Sequence, residues 1–177
     1  MRALSLTQPW ATLMALGAKR YETRDWSAWG FGQVVAIVAS KSFPPACRVL
    51  CSQEPFRSVL LANGIEGPTQ LPLGAVVALV ELVTCIATKA DGIGPGLSRM
   101  PPVLPATHER HFGDYSPGRY AFITRNAVPI VPTVPVERVV RDKRTGEMVV
   151  KAGGALGFYT LSPACEALVR ARMEGRQ

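Results

Sequence analysis

The sequence predicts an α+β domain, a small mixed or antiparallel β-barrel with flanking helices. Three observations point there. The segments follow the order strand, helix, several strands with an intervening helix, then a closing helix, with neither β-α-β alternation nor an internal repeat. The 177 residues suffice for one compact domain with its own core. Hydrophobic residues at 47% and charged residues at 19% lie in the globular range, against wholesale disorder. A single domain over residues 1–177 is expected, with a loop-rich insertion at about 89–112 and a C-terminal helix at about 162–174.

The elements follow in order. Arg2 to Thr7 roughly alternate apolar and polar residues, a short strand. Pro9 suits a first helical turn, and Trp10, Leu13, Met14 and Gly17 follow at helical spacing, with Gly17 as the stop. Past it the backbone is expected to be extended. After Gly30 and Gly32, the Val- and Ile-rich run Gln33 to Ala39 reads as a buried strand. About Pro45 to Ala62 is helical, with a break near Pro55, and Gly64 to Gly74 is turn-rich. Ala75 to Thr88 reads as a long strand with Glu81 as a lone acid. Lys89 to His108, crowded with Gly and Pro, reads as a long loop, a candidate lid. Ser116-Pro117-Gly118 makes a turn into a strand over Arg119 to Arg125. Glu137 to Lys151 reads as a hairpin turning at Arg144-Thr145-Gly146. Ser162-Pro163 opens the last helix, in which Cys165, Leu168 and Val169 are expected to face the core.

Composition narrows the function classes. The longest apolar run, Leu73 to Val80, is far shorter than the roughly 20 residues of a membrane span. A soluble, cytoplasmic protein without membrane partner is the expectation. Cys47, Cys51, Cys85 and Cys165 form no CxxC and meet few histidines, so no metal site and no cofactor are expected, and the thiols read as small core residues. Lys and Arg number 20 against 13 Asp and Glu, a net charge of +7 that favours polyanionic partners.

The charge has a focus in GAKRYETRDW, residues 17 to 26. On an extended backbone Glu22 and Arg24 point to one side and Tyr21 and Thr23 to the other, while Lys19 can fold back over Glu22. An acceptor between two donors can hold a phosphate or a base, or move a proton. The bland alternative is a Lys-Glu-Arg network fastening the helix to the barrel.

The run Gly17 to Arg24 fits G-x-K-x-x-E-x-R, and with the preceding A-L-S-L-T-Q-P-W-A it resembles the ASCH domain of the PUA-like superfamily. F-G-D-Y-S-P-G-R-Y-A-F and G-A-L-G-F-Y are similar to segments of longer ASCH proteins, so the resemblance runs from Ala3 to about Tyr159. It implies a PUA-like mixed β-barrel with a cleft that binds RNA or a nucleotide. Lys19, Glu22 and Arg24 are the motif residues, and Ser5, Gln8, Thr23, Trp26, Ser40, Lys41, Tyr115 and Arg119 complete the expected ligand set. The family also contains hydrolases of acetylated cytidine and enzymes that look like ribonucleases. In that alternative Lys19, Glu22 and Glu81 are the catalytic candidates, although Glu22 stands where the amidohydrolases carry their nucleophilic Thr.

Four further readings complete the expected cleft. Glu81 inside an apolar strand needs a cation such as Lys19 or Arg24, or solvent. Trp26 lacks a periodic partner and is expected to stack on a base, with Tyr21 and Trp29 as weaker candidates, whereas Trp10 is expected in the core. Asp114 reads as a solvated turn residue. His108 and His111 read as surface residues, and Val38-Ala39-Ser40 lacks the His that related proteins show there. A binding module is therefore favoured over an enzyme.

Overall fold

The computed structural model describes residues 1–89, 92–96 and 109–175. Strand β1 (Arg2–Leu6) leads into helix α1 (Trp10–Ala15), followed by β2 (Tyr21–Arg24) and β3 (Gln33–Ala39). Helices α2 (Pro45–Leu50) and α3 (Phe56–Ala62) are separated at Pro55, which caps α3. Then come β4 (Ala75–Lys89), β5 (Gly92–Gly96), β6 (Tyr120–Pro135), β7 (Glu137–Arg141), β8 (Met148–Ala152), β9 (Phe158–Leu161) and α4 (Pro163–Glu174). Part of the expected loop is therefore strand β5, which pairs with β4. The remainder of the candidate lid, with His108, lies outside the described residues.

Strand β6 is 16 residues long and runs well beyond Arg125. Proline lacks a donor for a strand ladder, but the β4–β6 pairing carries three register shifts that relax that demand. Asn126 sits at one of them with φ 53°, a left-handed conformation that Asn tolerates better than most residues.

Eight strands lie in the order β2-β6-β4-β3-β1-β9-β7-β8, and β5 pairs off this path with β4. The β1–β3 pair is parallel and the others antiparallel, so the sheet is mixed. The expected closed barrel is not formed among the described residues, because β2 and β8 stand at opposite ends of the path. The free edge of β2 is served by a side chain instead of a strand: Glu109 Oε1 accepts from Arg20 N and, at 3.0 Å, from Tyr21 N.

The core occupies both faces of the sheet. Leu4, Met14, Val35, Ile37, Val80, Leu82 and Phe122 pack on the α1 side. Ala36, Val38, Val76, Ile130, Leu161 and Val169 pack on the α4 side. Burial on both faces explains why Gln33–Ala39 reads as an unbroken apolar run. Phe122 is fully buried, and Phe122→Ala is worth roughly 3–5 kcal/mol by the usual cost of such a cavity.

Helix α4 begins with Ser162, whose Oγ accepts from Cys165 N at 3.1 Å. Cys165 and Val169, four apart, face the core, and this rotates Leu168 outward to 54% exposure against expectation. Cys51, Cys85 and Cys165 are buried, Cys47 is half-buried, and all four are free.

Candidate functional site

Helix α1 is buried from Ala11 to Ala15 and ends at Gly17, whose φ of +73° is strained for any residue with a side chain. Ala18 N and Lys19 N both donate to Leu13 O, at 3.0 and 3.1 Å, which turns the chain sharply back against the helix end. Lys19 therefore enters the interior. It is 1% exposed, donates through Nζ to Tyr21 O and, at 2.7 Å, to Phe112 O, and lies 3.3 Å from Glu22 Oε2. Three ammonium protons meet three acceptors. Burial pulls its pKa below the ordinary lysine value, and Glu22 is the main opposing influence.

Glu22 is shared. Its Oε1 lies 2.9 Å from Arg24 Nε, and Arg24 Nη2 donates to Ser5 O at 2.7 Å. The sheet thus curls enough for a β2 side chain to reach β1, although no strand pairing joins them. The three motif charges meet one another, but Lys19 is committed beneath the surface and lines neither of the hollows that flank Arg24. Arg24, with its side chain 22% exposed, carries the charge outward.

The segment from Glu109 to Tyr115 straps this arrangement down. Glu109 is 1% exposed, and besides its backbone bonds its Oε2 accepts from Arg20 Nε and Nη2 at 3.3 Å each. Asp114 N donates to Thr23 Oγ1 at 2.9 Å. The sequence reading missed Glu109, since H-E-R-H-F looks like solvated surface and nothing local marks a carboxylate that serves a strand edge 88 residues away.

Two hollows open on either side of Arg24. The first, of about 590 Å³, lies between α1, the strap and β2. Trp10 and Phe56, edge-on at 6.0 Å, form its apolar wall; Glu22, Asp25 and Asp114 bring acceptors, and Arg24 and Arg119 bring donors. The second, of about 490 Å³, is lined by Ser5, Thr7, Arg24, Ser40, Lys41 and the loop from Ala152 to Leu156. Thr7 and Arg24 line both.

The candidate residues divide accordingly. Glu22, Thr23, Arg24 and Arg119 meet at the first hollow, and Ser5, Arg24, Ser40 and Lys41 at the second. Asp114 joins the first hollow and pairs with Arg119 at 3.3 Å, more than a bare turn residue does. Its pKa is lowered chiefly by the Ser116 N–H. His111 is exposed at the rim of the same hollow.

Other candidates lie elsewhere. Glu81 meets neither Lys19 nor Arg24; its carboxylate accepts from Arg125 at 2.7 and 3.0 Å and from Asn126 at 3.1 Å, and Arg125 lowers its pKa. The β4–β6 register places it opposite Arg125, away from β2. Trp26 packs edge-on against Phe122 and Phe158 at 4.9 and 5.5 Å instead of facing a cleft. Trp10 stands at a cleft wall instead of wholly in the core. Gln8, fully buried, accepts from Thr12 N and donates to Pro72 O, fastening α1. Tyr115 packs over Gly113, where an added Cβ would lie 2.9 Å from the ring. Its hydroxyl has no hydrogen-bond partner among the described residues, and burial raises its pKa. Tyr21 is buried, and the exposed Trp29 covers the Arg2 guanidinium at 4.2 Å.

Among the described residues no group of three or more His, Cys, Asp or Glu is arranged to hold a metal ion. No helix among them is long and apolar enough to cross a membrane.

No family model matches the chain. Over 87 residues, 49% of its length, it is 34% identical to Activating signal cointegrator 1 of Homo sapiens, and over 86 residues 34% identical to the Mus musculus protein of that name. The match spans 14% of the length of each relative. That cointegrator carries an ASCH domain. The likeness lies in the matched residues, about half of this chain.

A solved structure of ASCH from Zymomonas mobilis aligns over 96% of this chain and 93% of its own, with 12% identity and a TM-score of 0.48. A mutant of the same protein aligns over 96% and 94%, with 14% identity and a TM-score of 0.46. In this chain the G-x-K-x-x-E-x-R run divides its labour. Gly17 and Lys19 hold the helix end against β2, and Glu22 transmits that anchorage to Arg24 at the water-facing side.

Proposed function

We propose that this ASCH-type chain binds single-stranded RNA or a nucleotide in the cleft formed by the two hollows. The observation that carries the reading is Arg24. Its guanidinium is held by Glu22 and Ser5 O, so it reaches the wall common to both hollows with its direction already set. A positioned guanidinium is suited to phosphate and to base carbonyls. Beside it, Trp10 and Phe56 offer an aromatic wall, and Asp25 and Asp114 offer acceptors for base amines. The net charge of +7 supports a polyanionic partner.

Hydrolysis of an acylated cytidine or of RNA gains less from this geometry. All three donor positions of Lys19 are committed, Glu81 is held by Arg125, and Thr23 Oγ1 accepts from Asp114 N.

The test is fluorescence anisotropy with a short labelled single-stranded RNA, comparing the intact chain with Arg24→Gln over a range of salt. The expected result is a loss of about tenfold or more in the variant and a log affinity that falls linearly with log salt. Equal affinity of the two folded proteins overturns the reading. Turnover of acetylated cytidine or of RNA by the wild-type chain would move it to the hydrolytic alternative.

A further inference from the structure

The two hollows differ in charge as well as place. Glu22, Asp25 and Asp114 stand among the residues of the first hollow. The ten residues lining the second include Lys41 and Arg24 and no acid. A hollow with two cations and no carboxylate is a poor place for a base amine and a good one for an anion.

Three details sharpen this. Lys41 is exposed and has no ion pair or hydrogen bond among the described residues. Its stem is nonetheless placed, since an added Cβ at Gly74 would lie 2.8 Å from Lys41 Cγ and one at Gly153 would lie 3.9 Å from Cε. The backbone of the opposite wall approaches closely too: a Cβ at Gly154 would fall 2.0 Å from Ser5 Oγ, which itself pairs with Tyr159 OH at 2.9 Å. Glycine is required there because a side chain would displace that pair.

Beyond Gly153, at φ +89°, the amide N–H groups of Gly154, Ala155 and Leu156 donate to no partner among the described residues, whereas Gly153 N donates to Val136 O at 2.9 Å. Successive free amides in a glycine loop beside a lysine are the elements from which backbone anion sites are built. Ser40 lines the same hollow.

We propose that the second hollow is a phosphoryl subsite, held by Lys41, the Gly153–Leu156 loop and the shared Arg24, while the nucleoside attached to that phosphate occupies the first hollow. The inference rests on the nucleotide reading above and deepens it. The ligand is then a phosphorylated nucleoside, either a free nucleotide or one unit of an RNA strand.

The experiment is isothermal titration of the intact chain with nucleosides, their 5′- and 3′-monophosphates, dinucleoside monophosphates and inorganic phosphate, repeated with Lys41→Met. Methionine keeps an unbranched stem over Gly74 and removes the charge. The expected result is that a monophosphate binds about tenfold or more tightly than its nucleoside, and that this ratio collapses in Lys41→Met while the melting temperature holds. An unchanged ratio in the variant, or no preference for the phosphorylated ligand in the wild type, overturns the subsite. If dinucleoside monophosphates show the larger Lys41-dependent gain, the phosphate comes from a strand; if mononucleotides do, it comes from a free nucleotide. If inorganic phosphate binds in a Lys41-dependent manner while no nucleoside or nucleotide outcompetes it, the anion site stands and the nucleotide reading fails.

Discussion

Lys19→Met tests how the motif works. The substitution keeps much of the stem and removes an ammonium that is 1% exposed. Tyr21 O and Phe112 O lose a charged donor, and Glu22 loses one of its two cations but keeps Arg24 at 2.9 Å. Leaving a buried acceptor unpaired costs about 1–3 kcal/mol. The variant no longer has to desolvate an ammonium, which offsets part of that loss. Breaking a buried pair on one side costs about 3–5 kcal/mol net. With about 2–4 °C of melting temperature per kcal/mol for a chain of this size, the fall is roughly 6–20 °C. Urea unfolding at neutral pH, followed by tryptophan fluorescence, measures it, with an unchanged slope showing that the same surface is exposed. A loss below about 1 kcal/mol would refute the reasoning, because it would mean that the three contacts barely exceed the desolvation they offset.

Three further outcomes are expected. Trp26→Ala should destabilise the fold by about 3 kcal/mol through its contacts with Phe122 and Phe158, while RNA affinity of the folded variant stays the same, as anisotropy would show. Glu109→Ala, which orphans the β2 edge, should cost about 3 kcal/mol or more, and Glu109→Gln distinctly less because its carbonyl can still accept from Arg20 N or Tyr21 N; denaturant midpoints rank the two. Glu81 has a folded pKa below the ordinary carboxylate value, so its stabilising contribution is present at neutral pH and is lost as pH falls through the folded value. The stability difference between wild type and Glu81→Gln should therefore shrink on acidification, measured by thermal melts across pH.

Much of the fold was legible wherever a local rule governs. Gly17 ends α1, the Val- and Ile-rich run is β3, Pro55 parts α2 from α3, and Ser162-Pro163 opens α4. The strand at Phe158–Leu161 and the extension of β6 past Arg125 were not legible. Pro129, Pro132 and Pro135 argue against a strand locally, and the register shifts against β4 that accommodate them depend on the partner. At the candidate site the meeting of Lys19, Glu22 and Arg24 could be read from extended-strand alternation and a folding-back lysine. The depth at which each one stops could not. Glu81 and Trp26 were drawn to the cleft by residue type, and partners distant in sequence, Arg125 and Phe158 among them, hold them elsewhere.

The sequence by itself determined most of the element types, the α+β character and the spacing of Lys19, Glu22 and Arg24, because helix stops, apolar runs and residue spacing act over a few neighbours. Tertiary structure alone decided that Lys19 is an interior fastener, that Arg24 is the exposed member of the three, and that the sheet stays open beside β2. Each of those outcomes turns on whether a charged group is surrounded by protein or by water. That depends on what other parts of the chain bring up against it, here Phe112 O to Lys19 and Glu109 to the β2 edge, from about 90 residues further along.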